Sequence, residues 1–280
     1  MNNIPVLDII KKIQELPALS AVVTELLNSI DHEEIDVDSI AVKISHDQAL
    51  TAKTLRLANS SFYGMQHKIT SIQEAIAILG FRSVRTLITT TAITGSFATG
   101  KASRFNFSSF WRHSIATAVC AKQLASHVKA NQDYAFTAGL LHDIGKLVLV
   151  TRYAEKYEQV MERRIEQDSY ILDAEREILA TDHAAVGKVL TEYWKFPEEM
   201  QKAVANHHSA DQSNDSVLTA IVHVADVMTH ALDLSQDEEA LVPVICKDAW
   251  DKLKLTQELS AKIFKETEKQ FEEICQILIN

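Results

Sequence analysis

Histidine and aspartate side chains are the residues of this chain best suited to chemistry, and two of them adjoin at His142-Asp143. The pair lies in an otherwise apolar stretch, Ala138 to Val150, which we predict to be one continuous helix. Burying an imidazole beside a carboxylate is costly unless the pair gains a charged partner or a metal ion. Other residues of the types that bind metals occur along the chain in the order His113, His183, His207-His208 and Asp226.

One group of these residues is predicted to meet through the packing of neighbouring helices. His113 lies on a predicted helix over 110–130, and the short connection after it makes the next helix an antiparallel neighbour. His113 can then face His142. Asp226 lies in mid-helix among apolar residues, where exposure to solvent explains it poorly. Imidazoles and carboxylates suit a divalent metal that keeps open positions for water. We therefore predict one metal ion held by His113, His142, Asp143 and Asp226.

A second metal is predicted from the remaining histidines. His183 begins one predicted helix, and His207-His208 end another, where both rings of the double histidine can turn towards one ion. Asp143 would bridge this ion and the first. Two metals a few ångströms apart can activate a bridging hydroxide and hold a phosphoester during in-line attack.

Each of these residues also has a simpler interpretation. A lone histidine such as His113 or His183 is more often a hydrogen-bonded helix residue, and His207-His208 alone could be a polar helix end. Asp226 alone could be a core carboxylate paired with Lys or Arg. His223 and His230 share a helix face with Asp226 and could compete as ligands, although we predict structural roles for both. The metal hypothesis therefore depends on the order and context of the whole series.

Lys146 is the one basic residue predicted to reach the site. It lies one helical turn after His142, so its ammonium group could hold a phosphate oxygen. Its alternative roles are a solvated lysine or a partner of Asp143. On the first interpretation, Asp143 and Lys146 are the catalytic residues.

Composition favours a helical protein that does not bind nucleic acid. The 280 residues include only 7 Gly and 4 Pro, which favours long helices over a sheet with many tight turns. The formal net charge of −10 argues against a broad surface for nucleic acid. Three widely spaced cysteines are typical of a reducing compartment. Since neither a signal peptide nor a membrane span is recognisable, we expect a cytoplasmic protein with no membrane contact.

Helical periodicity covers nearly the whole chain, so the predicted fold class is all-α. We divide the chain into an N-terminal helical lobe (1–95), a metal-binding helical lobe (96–232) and a C-terminal helical extension (233–280). The long amphipathic helix 255–279 could pack on a lobe as a lid or support a homodimer. The predicted helices cover residues 17–31, 37–44, 47–59, 71–79, 83–95, 110–130, 134–150, 153–166, 171–179, 184–194, 197–207, 217–232 and 255–279.

The metal-ligand series resembles that of the HD superfamily of metal-dependent phosphohydrolases. The stretch His142-Asp143-Ile144-Gly145-Lys146 is similar to the HD-GYP group, which acts on cyclic dinucleotides. Other motifs resemble the HDOD family, and this likeness covers roughly residues 16–227. They are Leu16-Pro17-Ala18-Leu19, Ile44-Ser45-His46-Asp47-Gln48-Ala49-Leu50-Thr51, Leu57-Ala58-Asn59-Ser60-Ser61-Phe62-Tyr63-Gly64, Ile69-Thr70-Ser71-Ile72-Gln73-Glu74-Ala75-Ile76 and Leu79-Gly80-Phe81-Arg82-Ser83-Val84-Arg85.

The chain departs from both families. Many HDOD members lack a full set of metal ligands, whereas this series is complete. The Gly-Tyr-Pro segment of HD-GYP proteins is missing, because His207-His208 is followed by residues 209–214 of different type. The basic cluster expected after Asp226 is also missing, and Ser109 stands where some HD-GYP members place an extra carboxylate. Cyclic di-GMP is therefore disfavoured as a substrate, and a third metal is not expected.

The resemblance implies an all-α HDOD module with an HD-type helical core. HDOD domains are bacterial signalling modules, so we expect this chain to act mainly by binding a protein or ligand, with signalling proteins as partners in trans. The alternative is a metal-dependent phosphohydrolase, a phosphodiesterase or nucleotidase that acts on a phosphoester or nucleotide. Either role involves one or two divalent ions, with iron, manganese, nickel and zinc as the candidates.

Overall fold

The computed structural model describes residues 5–14, 23, 25–26, 37–96, 104–209 and 216–279. Within these ranges the chain is helical and contains no strand, so the predicted all-α fold class is confirmed. Most of the predicted helix 17–31 and of the boundary before residue 104 lies outside the described residues. The division into three parts stays a prediction.

The described helices fall into three successive groups along the chain. The first group comprises α1 (Val6–Gln14), α2 (Val37–Ser45), α3 (Gln48–Ala58), α4 (Ile72–Leu79) and α5 (Phe81–Ser96). The second comprises α6 (Phe107–His127), α7 (Gln132–Leu141), α8 (Ile144–Arg152), α9 (Ala154–Gln167), α10 (Ile171–Leu179), α11 (His183–Tyr193), α12 (Glu198–Asn206) and α13 (Val217–Ala231). The last comprises α14 (Lys247–Lys252) and α15 (Gln257–Ile279).

Side-chain caps define the start of several helices that carry site residues. Asn106 accepts the Ser109 N–H at the start of α6, Asp182 accepts the Ala185 N–H at α11, and Ser216 accepts the Thr219 N–H at α13. Each such cap contributes about 1 kcal/mol by satisfying a helix N–H that has no intrahelical acceptor. The caps therefore hold the first turns of the helices that present His113, His183 and Asp226.

Helix α6 is the centre of the packing around the site. It contacts α7, α13 and α15, and it is buried along most of its length. Helix α11 packs on α8 and α12, and α12 packs on α13. Helix α15 also contacts α3 and α5, and it buries Phe271, Ile274 and Leu278. Its apolar face is thus covered within the same chain. None of the described helices is both long and apolar enough to cross a bilayer.

The prediction of one continuous helix through His142-Asp143 is wrong. Helix α7 ends at Leu141 and α8 begins at Ile144, with Asp143 in a turn conformation of φ −98° and ψ 5°. The Asp143 side chain makes no capping hydrogen bond to α8. It turns into the protein instead, because its carboxylate is surrounded by imidazoles from other helices. The apolar periodicity continues on both sides of the turn and therefore conceals it.

Two glycines on either side of this turn allow neighbouring helices to approach closely. A Cβ atom on Gly139 would lie 2.9 Å from the Ala118 Cα atom of α6. A Cβ atom on Gly145 would overlap the His183 carbonyl oxygen and lie 2.6 Å from the Gly187 nitrogen of α11. These contacts involve backbone, which cannot rotate away. Gly145 therefore sets the distance between the helix that follows Asp143 and the helix that begins with His183.

Gly145→Ala is expected to destabilise the fold by about 3 kcal/mol, the upper end for an overpacked core. Thermal denaturation should show a melting temperature lowered by about 6 °C or more. Gly187→Ala is the matched control, since its Cβ would first meet the Val204 Cγ1 atom, at 2.8 Å, and that side chain can shift. An equal effect of both substitutions, or no effect of Gly145→Ala, would contradict the close approach.

Candidate metal centre

The structure brings the predicted ligands together around the Asp143 carboxylate. His113 comes from α6, His142 and Asp143 from the turn between α7 and α8, and Asp226 from α13. His183 is the first residue of α11, and His207-His208 directly follow α12. The side chains of His142, Asp143, His183 and His207 are at most 2% exposed. The series that is scattered along the sequence is thus a single cluster, buried except for the partly exposed His208.

One group of ligand atoms gathers around the Oδ2 atom of Asp143. The His113 Nε2 atom lies 2.9 Å from Asp226 Oδ1 and 3.1 Å from His142 Nε2. Asp143 Oδ2 lies 3.4 Å from His142 Nε2 and 3.8 Å from His113 Nε2. The His113 and His142 nitrogens and the Asp143 oxygen are close enough to one another to share a single ion. Asp226 adjoins them through its contacts with the two imidazoles, at 2.9 Å from His113 and 3.5 Å from His142. Together these four are the residues predicted for the first metal.

A second group gathers around the other oxygen of the same carboxylate. Asp143 Oδ1 lies 3.1 Å from His183 Nε2 and 3.7 Å from His207 Nε2. His183 Nε2 is also 2.9 Å from His208 Nε2. This group could also hold one ion. Because each oxygen of Asp143 faces a different set of imidazoles, the carboxylate has the placement of a bridge.

Hydrogen bonds on the far side of three rings determine which nitrogen faces the cluster. The Nδ1 atoms of His142 and His207 lie 2.7 Å from the carbonyl oxygens of Gly139 and Val204. The Nδ1 atom of His183 lies 2.6 Å from a Glu175 carboxylate oxygen. A carbonyl or carboxylate requires a donor, so Nδ1 carries the proton and Nε2 of the neutral ring presents a lone pair. Ligand histidines in metal sites are oriented in this way.

Several buried atoms of the cluster find no hydrogen-bond partner among the described residues: Asp143 Oδ1, Asp226 Oδ2 and His207 Nε2. His183 Nε2 lies 3.1 Å from Asp143 Oδ1, and in the neutral form of the ring, which is the form that binds a metal, it has no proton to donate there. Unsatisfied buried acceptors are costly. A cation beside Asp143 Oδ1 and His207 Nε2 would satisfy both of these atoms, and nitrogen and oxygen donors suit a divalent transition metal. The residues present therefore fit a metal ion.

The electrostatics of the cluster keep most ligands in the form that binds metal. Burial lowers the pKa of His113 to about 4 and that of His207 to about 3, so both rings are neutral near pH 7. Burial opposes ionisation of Asp143, but the Lys146 ammonium and nearby imidazoles outweigh it and hold the pKa well below its ordinary value. Burial also disfavours the charged His183 ring, yet Glu175 and Asp143 raise its pKa to about 9. A metal at His183 must therefore displace a proton.

The two competing histidines of α13 have different environments. The His223 ring accepts the Cys246 N–H at Nε2 and donates from Nδ1 to the His207 carbonyl, so its nitrogens are engaged away from the cluster. His230 Nε2 lies 3.4 Å from Asp226 Oδ1, and the centroid of its ring lies 4.3 Å from that of His113, with the two rings tilted by 36°. His230 could therefore join His113 and Asp226 around an ion. The structural role predicted for His230 is open to that alternative.

Glu175 is one site residue that sequence reasoning missed. It is fully buried on α10, and its Oε2 atom accepts both the backbone N–H and the Nδ1–H of His183. Its Oε1 atom accepts the Tyr157 hydroxyl at 3.0 Å. In the sequence, Glu175 is one acidic residue in a helix that contains Asp173 and Glu177. No local signal distinguishes it, because its role depends on the contact of its carboxylate with His183, the first residue of the next helix.

A cavity of about 700 Å³ opens beside the cluster. Asp143, His113, His208 and Asp226 line it together with His230 and Ser109. Lys146 lies on its wall and donates to Asp143 Oδ2 at 2.6 Å, so the interpretation of Lys146 as a partner of Asp143 describes the contact observed. Two further basic residues, Arg104 and Arg164, and an aromatic wall that includes Phe105 and Tyr157 complete one side. Neither arginine was predicted from the sequence to lie beside the metal ligands, although Arg104 belongs to a small basic patch (101–104) that could form a groove for an anion.

Comparison with known proteins gives the family. The HDOD domain model matches residues 16–210. A protein of Treponema pallidum (strain Nichols), named only as uncharacterized, is 26% identical over 223 residues, which are 76% of this chain and 42% of that protein. Ribonuclease Y of Aster yellows witches'-broom phytoplasma (strain AYWB) is 31% identical over 120 residues, 43% of this chain and 17% of that enzyme. The chain thus spans less than half the length of these curated relatives.

Solved structures support the same family. An HDOD domain protein of unknown function from Geobacter sulfurreducens has a TM-score of 0.79 and 26% identity, with 98% of each chain covered. A protein of Shewanella amazonensis SB2B, named as a candidate phosphohydrolase, has a TM-score of 0.76 and 25% identity, with 96% of this chain and 97% of that one covered. The predicted resemblance is confirmed, and this chain belongs to the HDOD domain family.

Proposed function

We propose that this HDOD protein is a metal-dependent phosphohydrolase with a two-metal site bridged by Asp143. The observation that carries the proposal is the Asp143 carboxylate, buried between two imidazole groups with one oxygen facing each. The proposed ligands of the first metal are His113, His142 and Asp226, and those of the second are His183, His207 and His208. The sequence alone favours a binding role, and this geometry moves our preference to hydrolysis.

The proposed chemistry divides between the metals and the side chains of the cavity. Two divalent ions at this site would activate water and neutralise charge on a phosphoester. Lys146 is placed to hold a phosphate oxygen, because its ammonium lies on the cavity wall beside Asp143. Phe105 and Tyr157 provide an apolar wall for the organic part of the substrate. The name of the Shewanella protein also points to phosphoester hydrolysis.

The cavity favours a small phosphoester. Its volume of about 700 Å³ is within the range for small-molecule sites. The net charge of −10 disfavours RNA as the substrate. The absent Gly-Tyr-Pro segment likewise disfavours cyclic di-GMP. A panel of phosphomonoesters and phosphodiesters, tested on protein loaded with manganese, iron, nickel or zinc, would identify the class that is turned over. Absence of metal-dependent turnover across the panel would reject the hydrolase.

The second candidate function is a signalling module in which the metals are structural or sensory. Membership of the HDOD family supports it, and so do the acidic residues Asp173, Asp237, Glu238 and Glu239 that line the same cavity. Such a wall opposes a highly charged anion. A signalling partner in trans would then be recovered from the source cell by the full chain, and its capture alongside an inactive panel would favour this candidate.

Asp143→Asn should reduce the content of both metals to background, because an amide is a poor bridging ligand and lacks the negative charge between the two imidazole groups. Elemental analysis of purified protein measures this directly. Asp168→Asn is the matched control, since Asp168 is exposed and an asparagine tolerates its left-handed φ of 47°. Retention of full metal content in Asp143→Asn would reject the bridge.

Glu175→Gln should lower the affinity for the second metal by about 10- to 100-fold, the usual effect of losing a carboxylate that orients a ligand histidine. The first metal should be retained, because Glu175 contacts only His183 among the proposed ligands that the structure describes. Calorimetric titration with manganese would measure the affinities of the two sites separately. Glu177→Gln, on the same helix and paired with Arg163 at the surface, is the control. Equal weakening of both sites would contradict the assignment.

Lys146→Gln should lower kcat/KM by about 100-fold on any ester that the panel identifies, as expected for loss of one positioned donor. Lys188→Gln, a surface residue that faces Glu192, should leave kcat/KM unchanged. The role of Lys146 in phosphate binding would be refuted by a variant of normal kcat/KM with normal metal content.

A further inference from the structure

Arg164 is a buried cation of the cavity that the proposed metal site does not use. It lies on α9, its side chain is 10% exposed, and it lines the same cavity as Lys146 and Asp143. A guanidinium group removed from water to this extent requires an anionic partner. The identity and the fit of that partner therefore indicate what the cavity is built to hold.

The partner is Asp237, and the contact between the two side chains is a poor fit. Both terminal guanidinium nitrogens of Arg164 reach the same oxygen, Asp237 Oδ2, each at 3.4 Å. Distances of this length exceed the 2.7–2.9 Å of a strong charge-assisted hydrogen bond. The other carboxylate oxygen, Oδ1, accepts the Glu239 backbone N–H at 3.2 Å. The two guanidinium nitrogens of Arg164 therefore share one acceptor oxygen, although their geometry suits two separate oxygens.

Asp237 belongs to a segment that extends along the cavity, the strap, which we define as residues 232–246 between α13 and α14. Residues 235–241 of the strap line the cavity. Arg112 Nε donates to the Leu234 carbonyl, and the Tyr170 hydroxyl donates to the Val242 carbonyl. Gln236 has a φ of 56°, a left-handed conformation that non-glycine residues seldom adopt. The strap is thus held at both ends and bent just before Asp237.

We propose that Arg164 is a second oxyanion-binding residue of the cavity, beside Lys146, and that the Asp237 carboxylate takes the place of the anion on Arg164 as an internal substitute. The incoming anion is the phosphate group of a phosphoester, so this identification of the ligand rests on the proposed function. A phosphate group offers several oxygens and can satisfy the guanidinium fork in bidentate fashion, which Asp237 does not. When phosphate binds, it replaces Asp237 as the partner of Arg164. The Asp237 carboxylate, and the strap that carries it, are then released from Arg164.

The exchange predicts opposite effects for the two partners. Inorganic phosphate is the probe, titrated by calorimetry into the full chain at constant ionic strength. Asp237→Asn should tighten phosphate binding about tenfold, which corresponds to an internal contact that is closed roughly nine-tenths of the time. Arg164→Lys, which keeps the charge and loses the fork, should weaken binding about tenfold. Arg163→Gln and Glu166→Gln, which alter a surface ion pair on the same helix, should change nothing.

The double variant distinguishes an internal substitute from a general effect of charge. In the Arg164→Lys background, Asp237→Asn should bring a much smaller gain, because the contact that it releases is already weakened. A full tenfold gain in that background would overturn the proposal, as would unchanged binding in Asp237→Asn. The differences should persist after treatment with EDTA, because Arg164 is not among the proposed ligands. They would therefore survive even if the panel rejected the hydrolase, which separates the two proposals.

Discussion

The constraint on which the site depends is the burial of one negative charge, the Asp143 carboxylate, between two groups of imidazoles. Lys146 compensates the charge from the cavity side, and the imidazole nitrogens surround it elsewhere. Asp143 Oδ1 makes no hydrogen bond among the described residues, although the His183 ring lies 3.1 Å away. An unsatisfied buried acceptor lowers the stability of the folded chain. A cation bound beside this oxygen would remove that cost.

The surrounding structure fixes the lone pairs of the cluster before any ion arrives. The Gly139 and Val204 carbonyls and the Glu175 carboxylate each hold one Nδ1 proton, so three Nε2 atoms face inward. Gly145 places α8 against α11 and thereby sets the distance between Asp143 and His183. A site prepared in this way loses little freedom when it binds a ligand. The same preparation serves a hydrolase or a metal-dependent signalling module.

Sequence reasoning could predict the all-α class and the convergence of the site residues, because both produce patterns among residues close together in the sequence. Helical periodicity identifies the helices, and polar residues in apolar stretches identify His142, Asp143 and Asp226. The turn between α7 and α8 was missed, since the apolar pattern runs through it. Glu175, Arg164 and Asp237 were missed because each gains its role only from residues of another element. Long-range partners of this kind leave no periodic signal in one sequence.

The most direct test of the bridging role of Asp143 is an anomalous-difference map from crystals of the full chain grown without added metal or chelator. Two anomalous peaks are expected, one beside each oxygen of the Asp143 carboxylate, with the first near His113, His142 and Asp226 and the second near His183, His207 and His208. A map without a peak at Asp143, or with peaks only at distant surface histidines, would contradict the two-metal site.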